Sequence, residues 1–174
     1  MATPLPHSFK IVDKINLYWL WGVKMDYTKK TVWKSWLFVI VQIISLGLIG
    51  VTGPLFAAKK ILLFIETIGL FLGIWAVLIM KPGYFNITPN PLSRSKLVKI
   101  GPYRFIRHPM YLALLLTTLP LIIDRFTYLR LFLWVALLID LLLKISYEEK
   151  ILLAEVDGYE NYLKDSYKLI PKVY

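Results

Sequence analysis

The amino-acid sequence predicts an all-α integral membrane protein of four transmembrane helices, with a tight hairpin between helix 3 and helix 4 and a C-terminal helix facing the cytoplasm. Three observations predict it. Of 174 residues, 57% are apolar and 18% charged, whereas an average soluble domain has roughly 45–50% and about 25%. The apolar residues gather in four runs, and mean hydropathy is +0.60. The net charge of +10 falls between the runs rather than over a polar surface. A nucleic-acid binder would show the opposite distribution, and nucleic acid is not an expected partner. Disorder is excluded by the abundance of large apolar residues. The absence of cysteine excludes disulfides, thiolate metal sites and thiol nucleophiles. With His7 and His108 as the only histidines, no metal site is expected.

The elements follow in order. Residues 1–34 form an N-terminal arm in which Phe9–Val23 mixes Tyr18, Trp19 and Trp21 with lysines, a pattern suited to a helix lying in the membrane interface. The first thirty residues lack the uninterrupted apolar core and small-residue site of a cleavable signal peptide. Residues 35–80 contain two spans, Ser35–Val51 and Ile61–Met80. Pro82, Gly83, Pro89 and Pro91 then break any helix. The remaining module, 81–174, holds a basic, turn-rich loop, two further runs at Pro109–Ile123 and Leu129–Ile145, and the C-terminal helix. The third run is about 22 Å long at 1.5 Å per residue, too short to cross alone, and Pro120 lies near its end. With the turn Asp124–Tyr128 it reads as one arm of an antiparallel hairpin, or else as a single re-entrant element.

Basic residues orient the chain. Seventeen lie in the N-terminal arm, the link between the second and third runs, and the tail; Lys59, Lys60, Arg125 and Arg130 lie opposite. Positive residues stay on the cytoplasmic side, so both termini are expected there, or in a matrix-equivalent compartment.

Two constellations carry chemistry. In Gly101-Pro-Tyr-Arg-Phe-Ile-Arg-His-Pro-Met-Tyr111, Gly-Pro opens a turn and Pro109 suits the first position of a helix. Arg104, Arg107 and His108 therefore gather at a helix N-terminus, where exposed N–H groups favour anions. Surface anchoring accounts for Lys96 and Lys99, but not for aromatic rings, His108 and two prolines within eleven residues. In the second constellation, Asp140, Lys144 and Glu148 recur every four residues on one helical face, with Glu149 adjacent. Asp140 and Lys144 read equally as a self-satisfying pair that orients the helix. Two neighbouring glutamates instead require a cationic partner. Glu66, near the start of the second run, reads as interfacial. A short hairpin places Arg104, Arg107 and His108 opposite Glu148 and Glu149 across a gap holding both signs of charge, suited to a zwitterionic cofactor and a lipid-like substrate.

The Gly101–Tyr111 string resembles the GPYR-x-x-RHP-x-Y signature of membrane-embedded methyltransferases, which include the isoprenylcysteine carboxyl methyltransferases and the phospholipid N-methyltransferases. Glu148-Glu149 with Leu152, Leu153, Gly158, Tyr159 and Tyr162 resembles the second block, and Lys168-Leu-Ile-Pro171 the closing R-L-I-P. The resemblance covers Asn86–Tyr174; the first eighty residues match only in having spans. It implies S-adenosylmethionine as cofactor, methyl transfer to a lipid or lipidated acceptor, and a pocket closed by the C-terminal helix over the hairpin. Carried over by position, Gly101, Tyr103, Arg107, His108, Pro109, Tyr111, Glu148 and Glu149 are expected to bind the cofactor. Arg104, Glu149 and Lys168 are expected to serve catalysis, with Arg104 and Lys168 on an anionic acceptor headgroup. Lys168 stands where the family carries Arg, and lysine cannot form the same bidentate fork, which weighs against a prenylcysteine carboxylate. Ala113 stands where a Gly often follows the Tyr-Leu pair.

Two alternatives compete. One is a non-catalytic accessory subunit using the same fold within a larger membrane complex of other proteins. The other is a nicotinamide-dependent sterol-type reductase, echoed by Ile170-Pro171-Lys-Val-Tyr174.

Overall fold

The computed structural model describes residues 29–80, 97–156 and 158–171. The interfacial helix expected at Phe9–Val23, most of the 81–100 link and the last three residues lie outside them. Among the described residues there are five α-helices: α1 Lys29–Val51, α2 Lys60–Met80, α3 Pro109–Asp124, α4 Tyr128–Glu155 and α5 Tyr159–Asp165. A 3-10 turn covers Gly101–Arg104.

The all-α reading holds, but the count of four spans does not. Two helices, Trp33–Val51 and Lys60–Met80, are long and apolar enough to cross a membrane. Only 22% of each is buried within the fold, unlike the core helix of a soluble protein. The third run forms a 16-residue helix with Pro120 inside it, about 24 Å at 1.5 Å per residue and short of a ~30 Å hydrocarbon core. The fourth has length to spare at 28 residues, yet Arg130, Asp140 and Lys144 interrupt its apolar run. These ionisable side chains turn inward: Arg130, Asp140, Lys144 and Glu149 are all buried, whereas Phe132, Ile139 and Leu143 are exposed.

The turn between α3 and α4 is short, as expected, with Thr127 capping α4 by accepting from the Arg130 N–H at 3.2 Å. The two helices are not each other's main partner, however. Helix α3 packs chiefly on α2, and α4 on α1. Small residues decide the first pairing. A Cβ on Gly69 would sit 2.8 Å from the backbone nitrogen of Thr117, and one on Gly73 would sit 3.3 Å from the Ala113 Cβ. This Gly-x-x-x-Gly face lets the backbones approach as in other close helix pairs, and Ala113 is the small residue that fits against it. The second pairing is carried by Phe38 against Tyr147, with ring centroids 6.1 Å apart, and by Lys144 Nζ donating to Gln42 Oε1 at 3.3 Å.

These contacts make neighbouring helices antiparallel. The end of α2, the start of α3 and the end of α4 meet at one end of the bundle. The opposite end is tied by acids. Asp124 accepts from the backbone N–H groups of Ala58 and Lys59 at 3.0 and 3.3 Å, satisfying donors at the entrance to α2. Glu66 is buried, and its Oε2 accepts from the Ala57 N–H at 2.9 Å. Ile49, Leu121, Ile122 and Leu133 form the apolar core at this end, with Trp134 packed on it. The Trp134 Nε1–H also donates to Thr118 Oγ1 at 3.1 Å, linking α4 to α3.

Candidate functional site

The Gly101–Tyr111 string folds where α2 ends. Gly101 has φ +59, a left-handed conformation that favours glycine, and a Cβ there would meet Ile79 at 3.0 Å. Pro102 lies in the first turn of the 3-10 segment, and its carbonyl accepts from Phe105 and Ile106 at 3.2 and 3.0 Å. The turn buries Tyr103 and aims the chain back toward α3. His108 is the residue before α3, and Pro109 begins that helix, as the motif predicts.

The segment after α5 then lies alongside. Ile106 and Tyr167 form a parallel bridge, with Arg107 N–H donating to Tyr167 O at 2.8 Å and His108 N–H to Lys168 O at 3.1 Å. The Tyr162 hydroxyl, from α5, donates to the Tyr103 carbonyl. The C-terminal helix and the segment after it thus pack against the loop entering α3.

Inside this frame the two constellations meet. Arg107 Nε donates to Glu149 Oε1 at 2.7 Å, with both side chains nearly buried. The same guanidinium donates through Nη1 to the carbonyls of Ser166 and Leu163 and to Ser166 Oγ. His108 Nδ1 lies 3.6 Å from Glu148 Oε2, and its Nε2 lies 3.5 Å from Glu149 Oε1. The Tyr111 hydroxyl donates to Glu148 Oε1 at 2.7 Å, while its ring stacks on His108 with centroids 5.5 Å apart. Lys168 Nζ reaches within 3.6 Å of Glu149 Oε2.

The electrostatics follow from this crowding. Burial pushes the Glu149 carboxyl upward, but the His108 imidazole and the Arg107 guanidinium beside it outweigh that and hold the group at about 2. Burial pushes the Tyr162 hydroxyl up to about 12, against the opposing pull of Arg107. Tyr103 and Tyr159 are raised further, burial again leading. The site therefore holds a fixed anion among neutral phenols.

Of the sequence-predicted residues, Tyr103, Arg107, His108, Tyr111, Glu148, Glu149 and Lys168 come together, with Gly101 and Pro109 shaping the backbone. Arg104 does not join them. It is exposed, with its guanidinium 5.7 Å from the Phe105 ring centroid. Sequence reasoning missed Ser166, which helps hold Arg107, and Gln42, which meets Lys144. No local signal marks either one. Among the described residues no group of three metal-ligating side chains occurs.

Two buried polar atoms here lack a hydrogen-bond partner among the described residues: the Tyr103 hydroxyl and His108 Nε2. Buried polar groups are normally satisfied. Unpaired donors and acceptors beside two carboxylates and a histidine fit a ligand carrying both signs of charge.

Comparison with curated proteins returns no match. The family model described as isoprenylcysteine carboxyl methyltransferase (ICMT) family matches residues 60–154. That stretch begins at α2, earlier than the motif resemblance, and includes Arg107, His108, Glu148 and Glu149. Members of that family transfer a methyl group from S-adenosylmethionine to a lipid-linked acceptor at a membrane, which sets aside the sterol-type reductase. Since the match spans more than half of the chain and contains the arginine–histidine–glutamate cluster, the chain belongs to the isoprenylcysteine carboxyl methyltransferase family.

Proposed function

We propose that the cluster between the start of α3 and the end of α4 is where this methyltransferase holds S-adenosylmethionine, with the acceptor entering from the lipid side. The observation that carries the reading is the pair of unsatisfied buried atoms, Tyr103 Oη and His108 Nε2, beside Glu148 and Glu149. Glu148 takes the ammonium of the cofactor's amino-acid end, and His108 takes its carboxylate. Tyr111 orients Glu148 through the 2.7 Å hydrogen bond. The Arg107–Glu149 pair is already saturated by protein partners, so its part is to fasten the C-terminal segment over the site and exclude water. Lys168 lies close enough to serve an anionic group, whereas exposed Arg104 serves at most at the rim.

When bound, the cofactor supplies a methyl group on a sulfonium. Such transfer needs an aligned acceptor in a dry site more than acid–base power. The chain supplies the enclosure. Tyr103, Tyr159 and Tyr162 are buried around it, and exposed apolar residues along α2 and α4 offer a surface for an acceptor's hydrocarbon chain.

The membrane association of the chain rests on two apolar helices. We read both of them as spans and the site end of the bundle as cytoplasmic, supported by the seventeen basic residues expected on that side.

The test is calorimetric titration of S-adenosylmethionine into detergent-purified protein. Wild type is expected to bind and His108→Ala to bind at least tenfold more weakly. Equal affinity in the two proteins, or no binding to wild type, overturns the placement.

A further inference from the structure

Positive charge also collects at the end of the bundle away from the Arg107–Glu149 cluster, and it does so where helix geometry favours acids. Helices α2 and α4 both begin there. Asp124 ties the two starts together, accepting from the Ala58 and Lys59 N–H groups at 3.0 and 3.3 Å. A helix N-terminus carries partial positive charge and favours acidic side chains, yet neither helix has one in its first turn. Lys59 and Lys60 stand at the entrance to α2, Arg125 shortly before α4, and Arg130 is the third residue of α4. The acids described at this end, Asp124 and Glu66, are engaged by backbone donors.

Arg130 is the anomaly among them. It is 0% exposed, and its Nε, Nη1 and Nη2 each lack a hydrogen-bond partner among the described residues. A guanidinium keeps its charge, and a buried charge without partners is costly. Packing does not account for it, because an apolar side chain of similar length would fill the same space without that cost. The guanidinium occupies the place of a missing side chain: a Cβ on Gly53 would overlap it, 2.5 Å from Cζ. Gly53 belongs to the turn between α1 and α2, and this turn is the cover. It is one chain thick, with Thr52, Leu55 and Phe56 exposed to the outside. Arg125 and Asp124 are near enough to act on Arg130 electrostatically, with opposite signs.

We infer that the Arg130 guanidinium anchors an anion site at the α1–α2 turn, whose ligand is a phosphate-class oxyanion, free or carried on a lipid headgroup. The site lies at the opposite end of the bundle from the proposed cofactor position and does not rest on it. Arginine presents forked N–H donors that match phosphate oxygens, and the two helix N-termini add dipoles that favour the same charge. Lys59, Lys60 and Arg125 are exposed and draw anions toward this end. Val51, Leu55, Phe56 and Leu129 are exposed as well and offer apolar surface to a lipid's hydrocarbon chain. The ligand reaches the guanidinium by an outward shift of the Gly53–Pro54 backbone, where Gly53 has no side chain to withdraw.

The test uses the full chain in maltoside detergent with two probes, inorganic phosphate and dodecyl phosphate, and reads affinity by calorimetry and unfolding temperature by scanning. Wild type is expected to bind at least one probe. Binding of dodecyl phosphate alone assigns a lipid headgroup, binding of inorganic phosphate alone a free anion, and binding of both an oxyanion from either source. Arg130→Met is expected to weaken the bound probe by about tenfold or more, the loss of charged hydrogen bonds. Without probe it is expected to unfold no lower than wild type, because an unpaired buried charge is gone. Arg130→Lys keeps the charge without the fork and is expected to weaken binding less than Arg130→Met does. Three results overturn the inference. They are a wild type that binds neither probe, unchanged affinity in both variants, and affinity that falls in both only together with the unfolding temperature, the mark of a structural clamp.

Discussion

Arg107 and Glu149 lie 42 positions apart in sequence and meet at 2.7 Å. Each belongs to a different part of the site: Arg107 to the loop entering α3, Glu149 to the end of α4. Through Ser166 and Leu163 the same guanidinium also holds the segment around α5. One side chain therefore joins three pieces of chain around the proposed cofactor position.

Breaking that pair is expected to damage stability and binding together. Glu149→Gln leaves the Arg107 guanidinium without its anionic partner, at a cost of about 3–5 kcal/mol, whereas Arg107→Met still leaves Lys168 Nζ within 3.6 Å of Glu149 and should cost less. Thermal unfolding in detergent should show the loss, and S-adenosylmethionine affinity should fall with it. A variant of normal stability and normal affinity would refute the fastening role.

The pair also sets an acid limit. Glu149 is held at about 2, below its ordinary 4.5, so the folded state favours the ionised form. Its stabilisation is complete above about 4.5 and disappears as pH falls from there through about 2. Hydrogen exchange in α5, taken relative to the intrinsic amide rate at each pH, is expected to be flat from pH 7 to 5 and to accelerate below that window's upper edge. In Glu149→Gln the acceleration should be absent.

Tyr111→Phe removes one hydroxyl and keeps the ring stacked on His108. The lost hydrogen bond goes to a carboxylate, a class worth about 1.5–3 kcal/mol. Cofactor affinity is expected to drop by roughly ten- to a hundredfold by that conversion. Calorimetry decides the matter, and an unchanged affinity would remove Tyr111 from the cofactor site.

The α2–α3 seam makes a contrasting pair of glycines. Gly69→Ala puts a Cβ 2.8 Å from the Thr117 backbone nitrogen, so the helices must part, at about 1–3 kcal/mol. Gly47→Ala, on α1, meets nothing within 4 Å and should gain about 0.5–1 kcal/mol of helix propensity. Opposite shifts in unfolding temperature are expected.

Much of this site was legible in the sequence. Proline after His108 marked the start of α3, and the four-residue spacing of Asp140, Lys144 and Glu148 placed them on one face of α4. The need of two adjacent glutamates for a cation pointed toward Arg107 and His108, and the structure places them together. Arg104 looked equivalent to Arg107 because both lie in the same turn-rich string. Three residues of rotation separate them, enough to send Arg104 outward onto Phe105.

Hydropathy along the chain determined where helices form and which end of the bundle is charged, because both depend on local composition and period. It could not determine how those helices pair, since that depends on which faces carry small residues able to approach. Gly69 and Gly73 draw α3 onto α2, while Gln42 and Phe38 draw α4 onto α1. The number of spans turned on helix bounds and charge: α3 is a 16-residue helix, and Arg130, Asp140 and Lys144 interrupt the apolar run of α4. Only folding showed that Arg130, Asp140 and Lys144 are buried within the bundle, Arg130 at the end away from the site and Lys144 toward it.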